Sequence, residues 1–448
     1  MPAARRRIRA WPLARRGKGR RRNSTRPFSR WTESISWTSI ERPAARRRGS
    51  CAGGGVVSNW VFSAVKPMAS AGQSLRFTRI LLKNWRSFAR GYAELGRRVF
   101  LAGPASAGKT NFLDAFRFLG ELATPSVGLQ EAVQRRGGVR RLRCLAARKD
   151  SQMGLLVHAG TSAQPLEWEY EIDLGSDVQG RPVVQRERLR RRRETVWERP
   201  DASDAADPDR LYCSMLEGGM GSRPAREFAA FASKTRLLNP APALMRGAAG
   251  FDANPELGGD ILEAMAATPE KSRKARLRAI LNELQAAAPL LSKLESHRDG
   301  RGKAHLRARF EHWRAHGAWH SEAQLSDGVL RLTGILWEVL SGTGTLLLEE
   351  PEASLHDSFV RQIPQMLSRT ARRTGRQVLI ATHSAALLED SGVVPSEVLL
   401  VSADCEGSAL RPAVSLAEAA ELLRHGLAAG PAPRWDERQM ALFGEAED

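Results

Sequence analysis

The stretch Gly103-Pro104-Ala105-Ser106-Ala107-Gly108-Lys109-Thr110 sets two glycines, a lysine and a hydroxyl at the spacing Gly-x4-Gly-Lys-Thr. Such a loop grips phosphate. Its glycines let the backbone curl until the N–H groups face an anion, and a helix that starts there adds partial positive charge. Lys109 can reach the β- and γ-phosphates of a nucleoside triphosphate, and the Thr110 hydroxyl can hold Mg2+, with Asn111 next in the same helix start. Farther along, the apolar run Thr345-Leu346-Leu347-Leu348 ends in Glu349-Glu350-Pro351-Glu352. Acids at the end of a buried run are costly unless they serve a cation or act as a base. Neighbouring strand residues point to opposite sides, so Glu349 can approach the metal while Glu350 faces an attacking water. A third polar set, Thr382-His383-Ser384, follows the apolar run 377–381, and His383 can hydrogen-bond a γ-phosphate or that water. Each feature alone has a plainer reading: a chance turn, a solvated acidic turn, a structural histidine.

Elements must bring these residues together. Residues 75–88 read as a strand and its turn, and 98–102 as a buried strand. A helix follows over 110–122, with Phe112, Leu113, Phe116 and Leu119 on one face. Strands are expected at 153–160, 166–174 and 183–189. Residues 200–300 turn Ala-, Leu-, Lys- and Glu-rich, with helical windows near 223–235, 260–266 and 270–296. Apolar and strand signals return at 304–310. A helix is expected at 328–341, a strand at 345–349, a helix at 355–373, strands at 377–381 and 397–402, and a helix at 415–428. There is no internal repeat. Alternating strands and helices at both ends predict an α/β sheet split by a helical middle. The expected organisation is a basic segment 1–67, the first part of the nucleotide-binding head at 75–199, a helical insertion at 200–300, its second part at 301–428, and a tail at 429–448.

Composition narrows the class. The chain has 448 residues and a formal net charge of +20. Residues 1–67 hold 17 Lys and Arg against two Asp and Glu, so the remaining 381 residues carry only +5. The headline charge therefore belongs to a segment rich in Arg, Ser and Pro. That segment reads as a basic nucleic-acid arm, a targeting peptide or an over-extended start, and Met68 resembles an ordinary start ahead of the first strand. The expectation is an over-extended or disordered segment. The four cysteines, Cys51, Cys144, Cys213 and Cys405, form no CxxC pair, which argues against a disulfide scaffold or a common zinc site and suits a reducing cytoplasm. No uninterrupted apolar stretch is long enough to span a membrane.

The order of phosphate loop, long insertion, LSDG, LLLEEPE and THS resembles the ATP-binding-cassette heads of the RecF/SMC-like superfamily, in particular the stand-alone bacterial AAA-type ATPases that are RecF-like. LLKNWRSF followed by FLAGPASAGKTNFLDAFRFL is similar to that family's first strand, phosphate loop and helix, and the likeness spans residues 75–428. It implies an α/β P-loop NTPase of the ABC-ATPase head type, with a β-meander lobe and a mostly helical insertion. It also implies an ATP- and Mg2+-dependent ATPase in which two heads pack head to tail around two nucleotides. Leu325-Ser326-Asp327-Gly328 looks like the signature, so Ser326, Asp327 and Gly328 would meet the nucleotide on a second copy; an ordinary helix cap by Ser326 or Asp327 is the plainer reading, and both can hold. Glu349-Glu350-Pro351-Glu352 looks like the Walker B end, and His383 falls at the switch histidine.

Some positions depart from the pattern. Ala105 and Ser106 replace the usual Asn-Gly, and Glu349 stands where Asp is common. The metal-sensing glutamine is expected to be Gln152, with Gln134 second. No tyrosine lies in the first strand, where cassette transporters stack adenine, which leaves Arg86 or Trp85. The spacing leaves no room for long coiled-coil arms or for a C-terminal nuclease domain.

Three functions fit. The first is an ATPase that dimerises on ATP and drives a partner or acts on DNA. The second is a RecF-like DNA clamp for repair with slow hydrolysis, motivated by the Arg-rich runs 135–143 and 186–193, which could equally be solvated strand faces. The third is the ATPase component of a toxin–antitoxin or phage-defence system whose effector is a separate protein. A kinase would leave the signature and His383 unused.

Overall fold

A computed structural model of the chain describes residues 74–146, 152–217, 221–247, 254–313 and 318–425. The expectations for 1–67 and 429–448 lie outside them. Fifteen strands are described. The first seven are β1 (Arg76–Trp85), β2 (Phe88–Glu94), β3 (Arg98–Ala102), β4 (Met153–Gly160), β5 (Trp168–Ser176), β6 (Pro182–Arg191) and β7 (Glu194–Arg199). Then come β8 (Arg236–Leu238), β9 (Leu291–Arg298), β10 (Ala304–Phe310) and β11 (Ala318–Ser321). The last are β12 (Thr345–Glu349), β13 (Gln377–Thr382), β14 (Val398–Asp404) and β15 (Gly407–Pro412).

The site sits on a six-stranded sheet of order β15-β14-β3-β13-β12-β8. Its inner strands are parallel, and only β15 runs antiparallel. Strands such as Val99-Phe100-Leu101-Ala102 and Leu346-Leu347-Leu348 are near-continuously apolar because both faces of this sheet are covered. Alternate residues go to opposite cores. Leu101, Leu347, Leu379 and Val401 join one that includes Phe112 and Phe116 of the helix Lys109–Leu122. Phe100, Leu348, Ile380 and Leu400 join the other, with Trp337 of the helix Asp327–Ser341 and Met366 of the helix Ile363–Thr374.

A second, wholly antiparallel sheet runs β2-β1-β4-β5-β6-β7 and packs its apolar face onto the first core. Gln377 stitches the two sheets together. Its buried amide donates to the carbonyls of Phe77 and Gly96 at 2.7 Å each and accepts from the Phe77 N–H at 3.0 Å. A three-stranded sheet, β11-β10-β9, forms the third layer beside the helices Ile261–Ala267 and Glu270–Leu284.

Three expectations change. The window 270–296 is not one helix: it ends at Leu284, and Leu291–Arg298 is a strand. The segment 200–300 therefore supplies β8 and all of β9 as well as helices, and β8 extends the nucleotide sheet by pairing with β12. The helix at 355–373 is two, Asp357–Val360 and Ile363–Thr374.

Candidate nucleotide site

The phosphate loop leaves the carboxyl end of β3, between β13 and β14, which is where open α/β sheets take ligands. The loop is tightly backed. Gly108 takes φ 108° ahead of the helix Lys109–Leu122, and an added Cβ would stand 2.3 Å from Ser408 Oγ and 2.8 Å from Ser87 Oγ. Ser408 Oγ donates to the Ala107 carbonyl at 2.7 Å. At Gly103 a Cβ would meet the Val401 carbonyl oxygen at 2.2 Å, so only glycine fits there. Ala105 is exposed, Ser106 turns through φ 63°, and Pro104 contributes a carbonyl to the loop's inner side.

Lys109 is buried with its ammonium over the loop, donating to the Gly103 and Pro104 carbonyls at 2.7 Å each. Burial pulls its pKa below the ordinary lysine value, against the opposing pull of Glu350, Glu352 and Glu349. The Thr110 hydroxyl bonds to the Glu349 carboxylate, which brings the two expected metal ligands into contact. Both are hard oxygen donors, the kind Mg2+ takes in ones and twos with phosphate and water completing the shell. Among the described residues no larger group of three His, Cys, Asp or Glu could hold a metal. Gln152 is placed differently: its amide donates to Gln185 Oε1 on β6 at 2.5 Å, and its carbonyl accepts from Asn84 at 3.1 Å. Gln134 lies exposed on the helix Gly128–Arg135.

Glu350 follows β12 and continues its ladder by one bond, N–H to the Ala381 carbonyl at 2.9 Å. Its φ of 45° turns the side chain toward His383, whose Nδ1 lies 3.1 Å from Glu350 Oε1. Glu349 and Glu350 thus diverge, one to Thr110 and one to His383, but it is the left-handed turn at Glu350, past the end of β12, and not strand alternation that parts them. Ser326 caps the helix Asp327–Ser341, its Oγ accepting from the Val329 N–H at 3.4 Å. Asp327 pairs with Arg246 at 2.5 Å, and a Cβ on Gly328 would stand 2.6 Å from Leu355. Among the described residues no hydrogen bond joins Ser326, Asp327 or Gly328 to the phosphate loop.

Beside the loop lies a cavity of about 710 Å³, lined among others by Arg86, Ser87, Asn111, Arg140, Arg141 and Arg143. Asn111 donates to Ser87 Oγ at 2.8 Å. Trp85 does not reach the cavity: it is 1% exposed and packs on Phe118. Arg86, tied to Asp114 at 2.6 Å, remains of the two expected base contacts.

Sequence reasoning missed several partners. Glu352 is buried at 6% and accepts the His383 N–H at 3.2 Å as well as the Thr382 hydroxyl. Burial pushes its carboxyl above the usual range, against those bonds. Arg331 and Arg246 flank the signature. A signal for Arg331 existed, since it and Glu338 are the two charges in the otherwise uncharged run Val329–Val339. None existed for Ser408, which is 300 residues from Gly108.

Sheet order and site together define an ABC/SMC-like ATP-binding module, a P-loop NTPase of the ABC-ATPase head type. Residues 98–213 and 260–389 match the family described as "AAA domain, putative AbiEii toxin, Type IV TA system", more than half of the chain, and the protein belongs to that family. The chain is similar to the taurine import ATP-binding protein TauB of Yersinia pestis biovar Antiqua, 38% identical over 96 residues, which cover 21% of this chain and 33% of the relative. It is 36% identical over 80 residues to the protein of the same name from Shigella flexneri, covering 18% and 30%. The match thus spans about a third of these relatives' length.

Among solved structures, an Smc head bound to the C-terminal winged-helix domain of ScpA aligns with TM-score 0.46 and 13% identity over 77% of this chain and 99% of that one. The SMC head of Thermotoga maritima gives 0.37 and 14% over 75% and 98%. Among the described residues no helix is long and apolar enough to cross a membrane.

Proposed function

We propose that the protein is a Mg2+-dependent ATPase that closes into an ATP-sandwich dimer and acts as a switch on DNA or on a partner protein in the cytoplasm. The observation that carries this reading is the pair of contacts at the mouth of the phosphate loop, Thr110 with Glu349 and Glu350 with His383. In it, the loop N–H groups and Lys109 bind the β- and γ-phosphates, and the cavity lined by Arg86 and Asn111 takes the nucleoside end. Thr110 and Glu349 would hold Mg2+, with Gln152 an outlying candidate; the ion would supply positive charge against the phosphates. Glu350 accepts the proton of the attacking water, and His383 orients Glu350 or donates to the γ-phosphate. Ser326 and Gly328, remote from their own phosphate loop in the hydrogen-bond network, serve the nucleotide of a second copy, where a capped helix start and bare N–H groups suit an anion.

The test is the molar mass of the full chain carrying Glu350→Gln, with and without Mg-ATP. Losing the base should cut hydrolysis by roughly 100-fold or more and leave binding intact. The expected outcome is a doubling of mass on ATP that Ser326→Arg abolishes. A protein that binds ATP and stays monomeric would remove the sandwich and the signature role.

A second reading, ATP-regulated attachment to DNA, is favoured by one observation. Arg140, Arg141 and Arg143 are exposed and have no ion pair among the described residues, whereas Arg186, Arg188, Arg190 and Arg191 are matched by Glu167, Glu169, Glu171, Glu198 and Glu227. The family's description as a putative AbiEii toxin of a type IV TA system suggests a toxin–antitoxin role. Co-purification of a neighbouring gene's product would support it.

A further inference from the structure

Arg331 lies five residues past Ser326, inside the signature helix, and is 7% exposed. A guanidinium so buried needs acceptors, because desolvating a charge is costly. Its Nη1 donates to the Glu350 carbonyl at 3.2 Å and to Asn239 Oδ1 at 3.3 Å. Asn239 stands at the end of β8 and is itself fixed, its N–H donating to the Glu256 carbonyl at 2.7 Å.

Glu350 occupies the left-handed region at φ 45°, a conformation that persists in a non-glycine residue only when the surroundings over-determine it. Four ties hold it: N–H to Ala381, carboxylate to His383, and carbonyl from the Ala353 N–H at 3.0 Å and from Arg331. The first two come from β13 and the residue after it. The third comes from the turn after β12, and only the fourth comes from the helix that opens with Ser326 and Gly328. The signature loop itself is anchored by Arg246, which donates to the Leu325 carbonyl at 2.8 Å and to Asp327 at 2.5 Å. Arg246 thus fixes the loop at the start of the helix, and Arg331, farther along, is that helix's contact to the base.

We propose that Arg331 is a positioning residue that sets the backbone of Glu350 according to the position of the signature helix. A nucleotide held by a second copy and engaging Ser326 and Gly328 is thereby felt at the base of this chain's own site. The inference rests on the ATP-sandwich reading and adds a link between its two halves.

The test is a double-mutant cycle in the full chain, with Mg-ATP hydrolysis and Kd measured for wild type, Arg331→Met, Ser326→Arg and the double variant. Arg331→Met is expected to lower kcat about tenfold or more while the Kd for Mg-ATP stays within about threefold, as when only transition-state positioning is lost. In the Ser326→Arg background, where engagement is blocked, it should change the residual rate by less than about twofold. Equal falls in both backgrounds would reduce Arg331 to a local support and overturn the link, as would no fall at all. Asn239→Ala, which removes the other acceptor of Nη1, is read in the same way if Arg331→Met does not fold. A Glu350→Gln chain that binds ATP without doubling in mass would sink the sandwich and this link together. Doubling in mass together with equal falls in the cycle sinks the link alone.

Discussion

Glu352 holds the chain where Glu350 and His383 meet. One of its oxygens takes both the Thr382 hydroxyl and the His383 N–H, so it pins the end of β13 to the turn after β12. Glu352→Ala should slow phosphate release about tenfold with little change in ATP affinity, since it frees His383 without touching the phosphate loop. Glu352→Gln, whose amide oxygen still accepts, should retain more of the rate. Steady-state release for the two variants checks this, and a fully active Glu352→Ala would end the positioning role. At this scale legibility followed distance along the chain. The phosphate loop and its lysine are a local pattern, so Gly103 to Thr110 could be read directly. Glu352 sits inside a motif that was read, but its task depends on Thr382, 30 residues away, and β13 reaches it only through sheet pairing.

At the scale of elements, long periodic segments were legible and short ones were not. The helix Lys109–Leu122 and the strand β4 fell where apolar spacing put them. β8 is three residues long, and Leu237-Leu238 in a helix-rich stretch gives no period to read; its identity comes from pairing with β12. β9 was hidden because Leu291 and Leu294 keep a helical spacing past Pro289, and the strand is imposed by β10. That hairpin carries a testable charge arrangement. His305 Nδ1 lies 2.6 Å from Glu322 and Nε2 lies 3.3 Å from Asp299, while His297 stacks nearby with ring centroids 5.6 Å apart. The Glu322 bond, then Asp299, raises the His305 pKa above its ordinary value. A raised folded-state pKa stabilises below the unfolded value of about 6.5 and loses that contribution as pH rises through the folded one. The wild type should therefore exceed His305→Gln in thermal stability at pH 5.5 by roughly 1 kcal/mol or less, with the gap closing by about pH 8.5. A gap that widens with pH would contradict this pairing.

For the whole molecule, the net charge of +20 says less than its distribution. The composition could locate the excess in residues 1–67, but it could not tell which basic runs of the body are already neutralised. Run 186–193 lies mostly on β6, where cross-strand register sets Glu169, Glu171 and Asp173 opposite Arg190, Arg188 and Arg186. Run 135–143 splits. Arg135 and Arg136 are spent on Glu131, Asp114 and Glu121, and Arg140, Arg141 and Arg143 face the cavity mouth without ion pairs among the described residues. If this body attaches to duplex DNA, those three arginines are the phosphate contacts. Replacing all three by Ala in the full chain should weaken binding and flatten the slope of log K against log salt by about two to three, because each phosphate neutralised on duplex DNA contributes about 0.9. The basic segment 1–67 is common to both proteins, so its contribution to the slope cancels in the comparison. Anisotropy titrations of a labelled duplex between roughly 50 and 200 mM salt measure both slopes. An unchanged slope would assign any DNA affinity to the basic segment and leave the arginines to the nucleotide cavity they line.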